Sequence, residues 1–464
     1  MYNNLSFSDL LNDLLKKFER IDSNVSLVSF CIKIPNFELI DIYSYFIEKY
    51  PFSSFWEEND GISYIALDKC KYITLNGPDK YEIAKKFHQE TCKNLINLSS
   101  ESSPKSFPKL IYFFSFSDNR SKNNLFQEVP NMESVLPKIL IIKEGPNTWL
   151  RMNAQVNLKI SLREVLEEFW LIRNEIIYKR DLQENDIKEN IEISNFYSSF
   201  YKLKHDLSKK ILKGIKLVEE GFLEKIVIGS RLNFKINNTL NIIEIIRKLK
   251  INQPNTLRYV WKRNSKDITF GATPETLFSF NNNILTLEAI AGTSPSQFSH
   301  QLLNSKKDLR EHNLVLNYLY ECLKILKINN YKKAKLKVST FGDISHLSSL
   351  IYSNQYDICP FKLLDHLHPS PAVCGYPKDV AQEWIDTIES FERGNYASPI
   401  GWIDNSGNSD FRVAIRGARL IDQEIQFTAG AGIVKGSICA KEIEEIKLKF
   451  ESLVKQIFSS RITK

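Results

Sequence analysis

Carboxylates in the second half of this 464-residue chain stand where a helix would place them beside its buried face. The spacing of apolar residues predicts one helix over roughly residues 304–326, with an apolar stripe that begins at Val315. Glu311 precedes Val315 by four residues and therefore lies on the same inward stripe. Because a buried carboxylate is costly unless a cation or a metal ion compensates it, Glu311 is a candidate cation-binding residue.

A second predicted helix, over roughly residues 440–458, carries Glu442, Glu445 and Lys449 at positions i, i+3 and i+7. This polar stripe is rotated by about 100° from the apolar face, so it borders the buried side of the helix. Considered alone, the stripe is more simply explained as a solvated rim than as a site.

Glycine-rich phrases are concentrated in the same half of the chain. Twelve of the 17 glycines lie at or after Gly229. Several stand beside polar residues in short phrases: FGATPET, AIAGTSP, HPSPAVCGYP, YASPIGW and TAGAGIV. Glycine clusters mark turns and places where the backbone approaches another group closely. The chemistry is therefore expected in roughly residues 190–464.

The first half of the chain is expected to supply mainly structure. Residues 1–150 contain short apolar runs typical of strands, and Gly61 offers a turn between two antiparallel strands in FSSFWEENDGISYIAL. KYITLNG, PKLIYFFSF and PKILIIKE predict further strands. Polar loops are expected over residues 98–106 and 117–124, and residues 160–190 are predicted to be helical.

Bulk composition is that of a globular protein, with 43% hydrophobic and 25% charged residues. The formal net charge of +7 comes from 62 basic and 55 acidic residues that are interspersed along the chain. A nucleic-acid-binding protein more often shows a dense basic stripe, so a nucleic-acid partner is not expected.

The seven cysteines form no CxxC pair, so a disulfide framework or a zinc site is not expected. Reduced thiols fit a cytosol-like compartment. The N-terminal residues lack the basic and apolar regions of a signal peptide. No apolar run reaches the roughly 18–20 residues that a membrane-spanning helix needs. We expect a cytoplasmic protein without a membrane partner.

Taken in order over about 240 residues, the glycine-rich phrases resemble those of the chorismate-utilising enzymes, which include anthranilate, aminodeoxychorismate, isochorismate and salicylate synthases. EKIVIGSR resembles the family strand K-(V/I)-V-L-x-R, and FGATPETL resembles G-x-(S/T)-P-E-x-L. The resemblance implies that Lys225 is a general base and Glu275 a general acid, roles that suit a desolvated lysine and a protonated carboxylic acid. Arg231 is displaced by one position, which leaves its role open.

Further phrases imply a substrate pocket and a metal site. AIAGT resembles A-(L/I)-A-G-T, with Ala291 where aminodeoxychorismate synthases carry lysine, and it implies that Thr293 lines the pocket. KDLREH resembles K-D-x-x-E-H and implies that Glu311 is a Mg²⁺ ligand. HLHPSPAVCG resembles L-H-P-T-P-A-V-x-G and implies that His368 lies near the metal.

The last phrases imply a cradle for a substrate carboxylate. ERGNYASPIGW and VAIRGARL imply that Tyr396 and Arg416 bind it, and TAGAGIVKGS implies a backbone loop around it. In the following helix Cys439 replaces a family proline, but the spacing of the carboxylates is kept. The implied substrate-binding residues are Thr293, His368, Tyr396, Arg416, Gly430, Gly432 and Lys449, and the implied Mg²⁺ ligands are Glu311 and Glu445, with Glu442 acting through water.

Lys225 favours water over ammonia as the nucleophile, since anthranilate synthases carry glutamine at that position. The resemblance therefore implies an isomerase of the hydroxymutase type that forms isochorismate, for menaquinone, phylloquinone or another isochorismate-derived product. Salicylate synthesis, with elimination of pyruvate, is the alternative; an anthranilate synthase component or a non-catalytic relative is less favoured. The resemblance further implies a monomer with no obligatory glutaminase subunit.

The implied fold is α+β, with antiparallel β-sheets packed face to face and helices outside. We expect residues 1–185 to form a mainly structural N-terminal subregion and residues 186–464 to form the chorismate-binding catalytic region. Both are expected to belong to one structural unit.

Overall fold

The structure is a computed structural model, and it describes residues 6–18, 26–58, 61–99, 106–118, 129–157, 160–178, 196–236, 240–355 and 358–457. Its helices are α1 (Phe7–Phe18), α2 (Leu39–Phe46), α3 (Lys80–Asn94), α4 (Leu162–Tyr178), α5 (Phe196–Glu219), α6 (Ile242–Asn252), α7 (Lys306–Ile325), α8 (Pro360–Leu367), α9 (Lys378–Ile388) and α10 (Cys439–Ile457), with a 3₁₀ helix at Ser296–Asn304.

The strands of the N-terminal half are β1 (Ser26–Ile34), β2 (Ser53–Glu57), β3 (Ser63–Leu75), β4 (Leu95–Asn97), β5 (Lys109–Phe114), β6 (Met132–Glu144) and β7 (Asn147–Val156). Those that follow are β8 (Lys225–Lys235), β9 (Leu257–Asn264), β10 (Asp267–Thr273), β11 (Thr276–Asn281), β12 (Ile284–Pro295), β13 (Tyr331–Lys333), β14 (Lys337–Phe341), β15 (Ile344–Asn354), β16 (Gly375–Tyr376), β17 (Pro399–Asp404), β18 (Ser409–Val413), β19 (Gly417–Ile421) and β20 (Glu424–Val434).

These strands join into one continuous hydrogen-bonded network. Strand β1 runs parallel to β4, whereas the other recorded pairings between the described strands are antiparallel. Two pairings, β2 with β9 and β5 with β17, connect the N-terminal strands to those of the second half. The predicted mixture of helices and antiparallel sheet is confirmed. The predicted boundary between residues 185 and 186 lies outside the described residues and stays a prediction.

Local predictions for the N-terminal half hold in part. Strands β2 and β3 pair antiparallel around Gly61, as predicted. KYITLNG forms no strand of its own, because β3 continues through a bulge between Lys69 and Lys71. The helix predicted over residues 160–190 is present as α4, and its predicted part beyond residue 178 lies outside the described residues, as do parts of both predicted loops.

Strands β8 and β20 form the centre of the second half. They pair antiparallel over eleven residues, with Gly229 opposite Gly430, and most of their side chains are buried. Helix α5 packs on them closely at Gly214, where a Cβ atom would lie 3.1 Å from a side-chain carbon of Ile228. This close packing fixes the position of β8 relative to the helical layer.

Helices α7 and α10 both lie against β20, α10 also packs against α5, and both helices match the predicted bounds within two residues. Ser305 caps α7 by accepting a hydrogen bond from the Asp308 amide. Glu311 is buried, as its stripe predicted, and Glu442 is only 2% exposed. The simpler explanation of the α10 stripe as a solvated rim is therefore wrong, because the polar stripe of α10 faces the protein interior. None of the described helices is long and apolar enough to cross a membrane.

Candidate active site

A small cavity of about 80 Å³ lies between β8, β12, β20 and the helices α7 and α10. A larger cleft of about 820 Å³, on the side of α3 and α8, contains only one of the predicted site residues, His368. We therefore take the smaller cavity as the candidate active site, because its lining residues, and not its volume, match the predicted chemistry. Its polar lining includes Glu275, Thr293, Glu311, His346, Tyr396, Arg416, Gly430, Gly432, Glu445 and Lys449.

Lys225 begins β8, is fully buried and lies behind two lining residues of this cavity, Glu311 and Gly432. Its Nζ lies 2.9 Å from Glu311 Oε1, but the angles do not make this ion pair a hydrogen bond, and no other acceptor among the described residues reaches Nζ. A buried ammonium whose hydrogens lack acceptors is costly. The same cost favours loss of a proton, and the neutral amine that results can act as a base.

Gly432 provides the room for this ion pair. A Cβ atom at Gly432 would lie 2.4 Å from Glu311 Oε1 and 2.8 Å from Lys225 Cε. No side chain fits at such distances, so glycine is required here for steric reasons.

Glu275 stands between β10 and β11, where two backbone contacts hold it. Its amide donates to Thr273 Oγ1 at 3.1 Å, and its carbonyl accepts from the Val413 amide at 3.0 Å. Burial raises the pKa of Glu275 to about 7, the Lys225 ammonium acts to lower it, and the Glu288 carboxylate acts to raise it. A carboxylic acid with a pKa near neutral pH is suited to proton donation.

Two further glutamates of α10 are each paired with a lysine. Glu442 lies 3.0 Å from Lys307 Nζ, and Glu445 lies 2.8 Å from Lys449 Nζ. Burial acts to raise the pKa of Glu445, but the ammonium groups of Lys449 and Lys307 outweigh it and bring that pKa to about 2. Burial and the Glu445 carboxylate raise the pKa of Glu442.

The carboxylates lie close enough to act together on one cation. Burial acts to lower the pKa of Lys307, yet Glu311, Glu445 and Glu442 together raise it. Among the described residues, no three histidine, cysteine, aspartate or glutamate side chains already surround a common metal position. Glu311 and Glu445 line the cavity, whereas Glu442 does not. One or two carboxylates completed by water is a ligand set that suits Mg²⁺.

Arg416 and Tyr396 line the opposite part of the cavity. Burial lowers the pKa of Arg416 to about 10, so the guanidinium stays charged at neutral pH. Lys449 donates to the Gly430 carbonyl at 2.7 Å and so ties the glycine loop to the helix that carries Glu445. A buried guanidinium, a phenol and glycine backbone are groups that recognise a carboxylate.

His346, on β15, is a cavity residue that the sequence analysis missed. Burial and the neighbouring Arg416 lower its pKa to about 3, so the imidazole is neutral. With Nδ1–H donating to the Gly292 carbonyl at 3.0 Å, Nε2 accepts from Arg416 Nη2 at 3.0 Å. Thr293 Oγ1 lies 3.3 Å from Nδ1. The sequence around His346 contains no motif that indicates a site residue, and a single histidine in a strand is more often structural.

His368 does not line the cavity, in contrast to its expected place near the metal. Its Nδ1 lies 2.9 Å from the Tyr81 hydroxyl, and its Nε2 lies 3.0 Å from the Ala397 carbonyl. Both ring nitrogens thus form hydrogen bonds to other residues of the protein. The side chain supports Ala397, which follows Tyr396 in the chain.

Arg231 does not line the cavity either. It follows Lys225 by six residues, so both side chains lie on the same face of β8. Its guanidinium donates to the Glu392 carbonyl at 2.6 Å and lies 4.6 Å from the centre of the Phe391 ring. The displaced arginine therefore supports the loop before Tyr396.

The fold is of the α+β class, and its cavity is lined by acidic, basic and glycine-rich elements. The family model described as "Chorismate binding enzyme" matches residues 13–458, and the chain belongs to this family.

Two curated relatives and one solved structure are similar to this chain. The vibriobactin-specific isochorismate synthase of Vibrio cholerae is 32% identical over 233 residues, and the match spans 46% of this chain and 59% of the relative. The isochorismate synthase MenF of Bacillus subtilis is 24% identical over 459 residues, 94% of each chain. The chain thus spans less than two thirds of the first relative and nearly all of the second.

The structure of MenF, the menaquinone-specific isochorismate synthase from Escherichia coli, superimposes with a TM-score of 0.73 at 19% identity. The superposition covers 97% of this chain and 99% of that one. At this identity the likeness concerns the fold, and it confirms the predicted fold class.

Proposed function

We propose that this chain is an isochorismate synthase, an isomerase that adds water at C2 of chorismate while the C4 hydroxyl leaves. The observation that carries the proposal is that Glu275, an acid candidate whose pKa is about 7, lines one cavity with Glu311 and Gly432, and that both of these lie beside Lys225, a buried base candidate that lacks an acceptor. The names of the relatives and the chorismate-binding family support the same reaction.

Lys225 supplies the base. Lys225 first gives the proton of its ammonium form to solvent, and the neutral Nζ then takes a proton from a water molecule as the water oxygen forms a bond to C2 of the ring. The neighbouring Glu311 carboxylate, 2.9 Å away, stabilises the ammonium that results.

Glu275 supplies the acid. As the new C2–O bond forms, the ring double bond shifts and the C4–O bond breaks, and Glu275 gives its proton to the departing hydroxyl so that it leaves as water. One water is consumed and one is released, so the product is an isomer of the substrate. Burial of Glu275 keeps a sizeable protonated fraction available near neutral pH.

Mg²⁺ fits the carboxylate side of the cavity. Glu311 and Glu445, which line the cavity, would hold it directly, and Glu442, which does not line it, would act through water, since all three provide hard oxygen donors. When bound, Mg²⁺ supplies positive charge that orients and neutralises the ring carboxylate of the substrate.

Tyr396, Arg416 and the backbone at Gly430 and Gly432 hold the second, enolpyruvyl carboxylate of chorismate. The His346 contact leaves the remaining donors of Arg416 available for a bidentate bond to that carboxylate. Thr293 and Lys449 complete the wall between the two carboxylate positions.

The wider context follows from the same proposal. The menaquinone-specific MenF, whose structure superimposes on 97% of this chain, supports a role in menaquinone-type quinone synthesis. A nucleophile taken from water requires no glutaminase subunit. We further propose that the protein is a cytoplasmic monomer and that it has no nucleic-acid or membrane partner.

Product analysis tests the proposal. The full chain is incubated with chorismate and Mg²⁺, with and without ammonium, and the products are separated and identified by mass. We expect isochorismate in equal amounts in both reactions. Anthranilate in the ammonium reaction would overturn the role of Lys225, salicylate with pyruvate would assign the chain to the lyase branch, and bound but unconverted chorismate would indicate a non-catalytic relative.

A further inference from the structure

A buried ion pair between Glu389 and Arg393 lies outside the groups that the proposed mechanism uses. Arg393 Nη2 lies 2.5 Å from Glu389 Oε1, and Arg393 Nε donates to Oε2 at 2.9 Å. The two side chains are only 3% and 2% exposed. Because desolvation offsets much of the attraction in such a pair, a gain in stability is a poor explanation for it. Its bidentate geometry, in contrast, fixes the orientation of the two side chains relative to each other.

The pair takes the place of a missing strand beside β8. On one side β8 pairs with β20 along its whole length, whereas on the other side β16 covers only Lys225 and Ile226. Just past β16, Arg393 Nη2 donates to the Val227 carbonyl at 2.8 Å, and Glu389 Oε1 accepts from the Gly229 amide at 2.6 Å. Two side chains thus form the hydrogen bonds to the Val227 carbonyl and the Gly229 amide that a neighbouring strand would otherwise form.

Gly229 allows the carboxylate to come this close. A Cβ atom at this position would lie 3.0 Å from Glu389 Oε1, which is tighter than an ordinary contact. A side chain at this point of β8 would push the Glu389 carboxylate away by a few tenths of an ångström.

The same guanidinium also contacts two other walls of the cavity. Arg393 Nη1 donates to the Val373 carbonyl at 2.7 Å, and the guanidinium carbon lies 5.9 Å from the centre of the Tyr396 ring. Val227, Val373 and Tyr396 all line the cavity. One ion pair therefore joins the strand of the proposed base, the loop before β16 and the proposed carboxylate-binding tyrosine.

We infer that Glu389 and Arg393 are positioning residues that hold Lys225 and Tyr396 in their relative places across the cavity. This inference rests on the proposed function. A displacement of about 1 Å at reacting groups lowers a rate by as much as about 100-fold, so small movements of the β8 edge have a measurable effect.

The test compares Glu389→Gln and Arg393→Lys with a matched pair of controls. Arg258 and Glu57 form another buried ion pair, with Nε and Oε2 3.1 Å apart, between β9 and β2 and away from the cavity lining. Glu57→Gln removes the negative charge of this pair, and Arg258→Lys replaces its guanidinium while keeping the positive charge, both without touching β8. All four variants are assayed with chorismate and Mg²⁺ well below their unfolding temperatures.

For Glu389→Gln and Arg393→Lys we expect kcat to fall at least about tenfold with KM changed less, because orientation acts on the transition state more than on binding. The controls should keep kcat while losing a comparable amount of thermal stability. Hydrogen exchange at the amides of residues 226–229 should accelerate in the first two variants only. This second measurement needs no turnover.

Wild-type kcat in both positioning variants, or unchanged exchange over residues 226–229, would overturn the inference. A decrease in kcat shared equally by the controls would also overturn it, because the role would then be purely structural. Absence of isochorismate with the wild-type chain would instead sink the proposed function, and exchange alone would then decide whether the pair holds the β8 edge.

Discussion

Lys225 Nζ and Glu311 Oε1 lie 2.9 Å apart, so the proposed base and a proposed metal ligand neutralise each other across one buried contact. Glu442 with Lys307 and Glu445 with Lys449 repeat this arrangement. In and around the cavity, three carboxylates thus lie beside three ammonium groups, so groups of both signs are present without a large net charge from these pairs.

Replacement of Lys225 by glutamine should abolish the proposed base. We expect kcat to fall by about 10²–10⁴, the range that general base catalysis contributes, because glutamine cannot accept the proton from water. Lys235→Gln is the matched control, since Lys235 ends the same strand and is exposed. Initial rates of isochorismate formation measure this effect. If Lys225→Gln were as active as Lys235→Gln, Lys225 would have no part in the mechanism.

The pH dependence of the rate should report the protonation of Glu275. Because the acid form is required and its pKa is about 7, the rate should decline as pH rises through about 7. In Glu275→Gln the residual rate, lower by about 10²-fold or more, should lose this decline. A profile of kcat/KM from pH 5.5 to 9 measures both. If the decline persisted unchanged in the glutamine variant, another group would be responsible for it.

Glu275 should also make the folded protein less stable at high pH. Its pKa is raised from 4.5 to about 7 in the folded state, so its favourable contribution is complete below about pH 4.5 and is lost as pH rises through about 7. Glutamine stays neutral, and Glu275→Gln should therefore be more stable than wild type at pH 8 by up to about 3 kcal/mol.

Denaturant unfolding at pH 5 and pH 8 measures that difference, with the exposed Glu224→Gln as the control. Equal stabilities of wild type and Glu275→Gln at pH 8 would show that the charged form of the buried carboxylate does not destabilise the folded protein. Loss of activity together with a gain in stability is the expected signature of an active-site residue.

The sequence indicates the main components of the cavity because each is a side chain in a local phrase. Lys225, Glu275 and Glu311 stand in short motifs, and the burial of Glu311 follows from its helical spacing alone. The fold class is equally accessible, since alternating apolar strands and amphipathic helices are local patterns.

What the sequence could not indicate depends on contacts between distant segments. His346 contacts Arg416 across 70 residues, and Glu389 contacts Gly229 across 160, so neither pairing leaves a local pattern. His368 stands in a family phrase but is held by Tyr81 from α3, 287 residues away, which keeps it out of the cavity. The α10 stripe looked solvated because the elements that bury it are remote in sequence.

Removal of a metal carboxylate should weaken Mg²⁺ binding itself. Glu311→Gln and Glu445→Gln should each raise the Mg²⁺ concentration for half-maximal activity by at least about tenfold, since each removes one of two direct charged ligands. Calorimetric Mg²⁺ titration of the same variants checks the affinity without turnover. Glu444→Gln, one residue before Glu445 and exposed, is the control. A wild-type metal response in either test variant would exclude that residue from the metal site.

Gly432→Ala tests the geometry from which the proposed mechanism begins. The added Cβ would lie 2.4 Å from Glu311 Oε1 and 2.8 Å from Lys225 Cε, so one methyl group must displace the proposed metal ligand, the proposed base or both. We expect kcat to fall by about 10²-fold or more and Mg²⁺ affinity to fall with it, because both groups lose their place together. Gly407→Ala is a useful control, since nothing lies within 4 Å of a Cβ there, although its φ of +89° brings backbone strain without touching the cavity. If Gly432→Ala retained wild-type turnover and metal affinity, the close approach of Lys225 and Glu311 beside that glycine would have no part in the reaction.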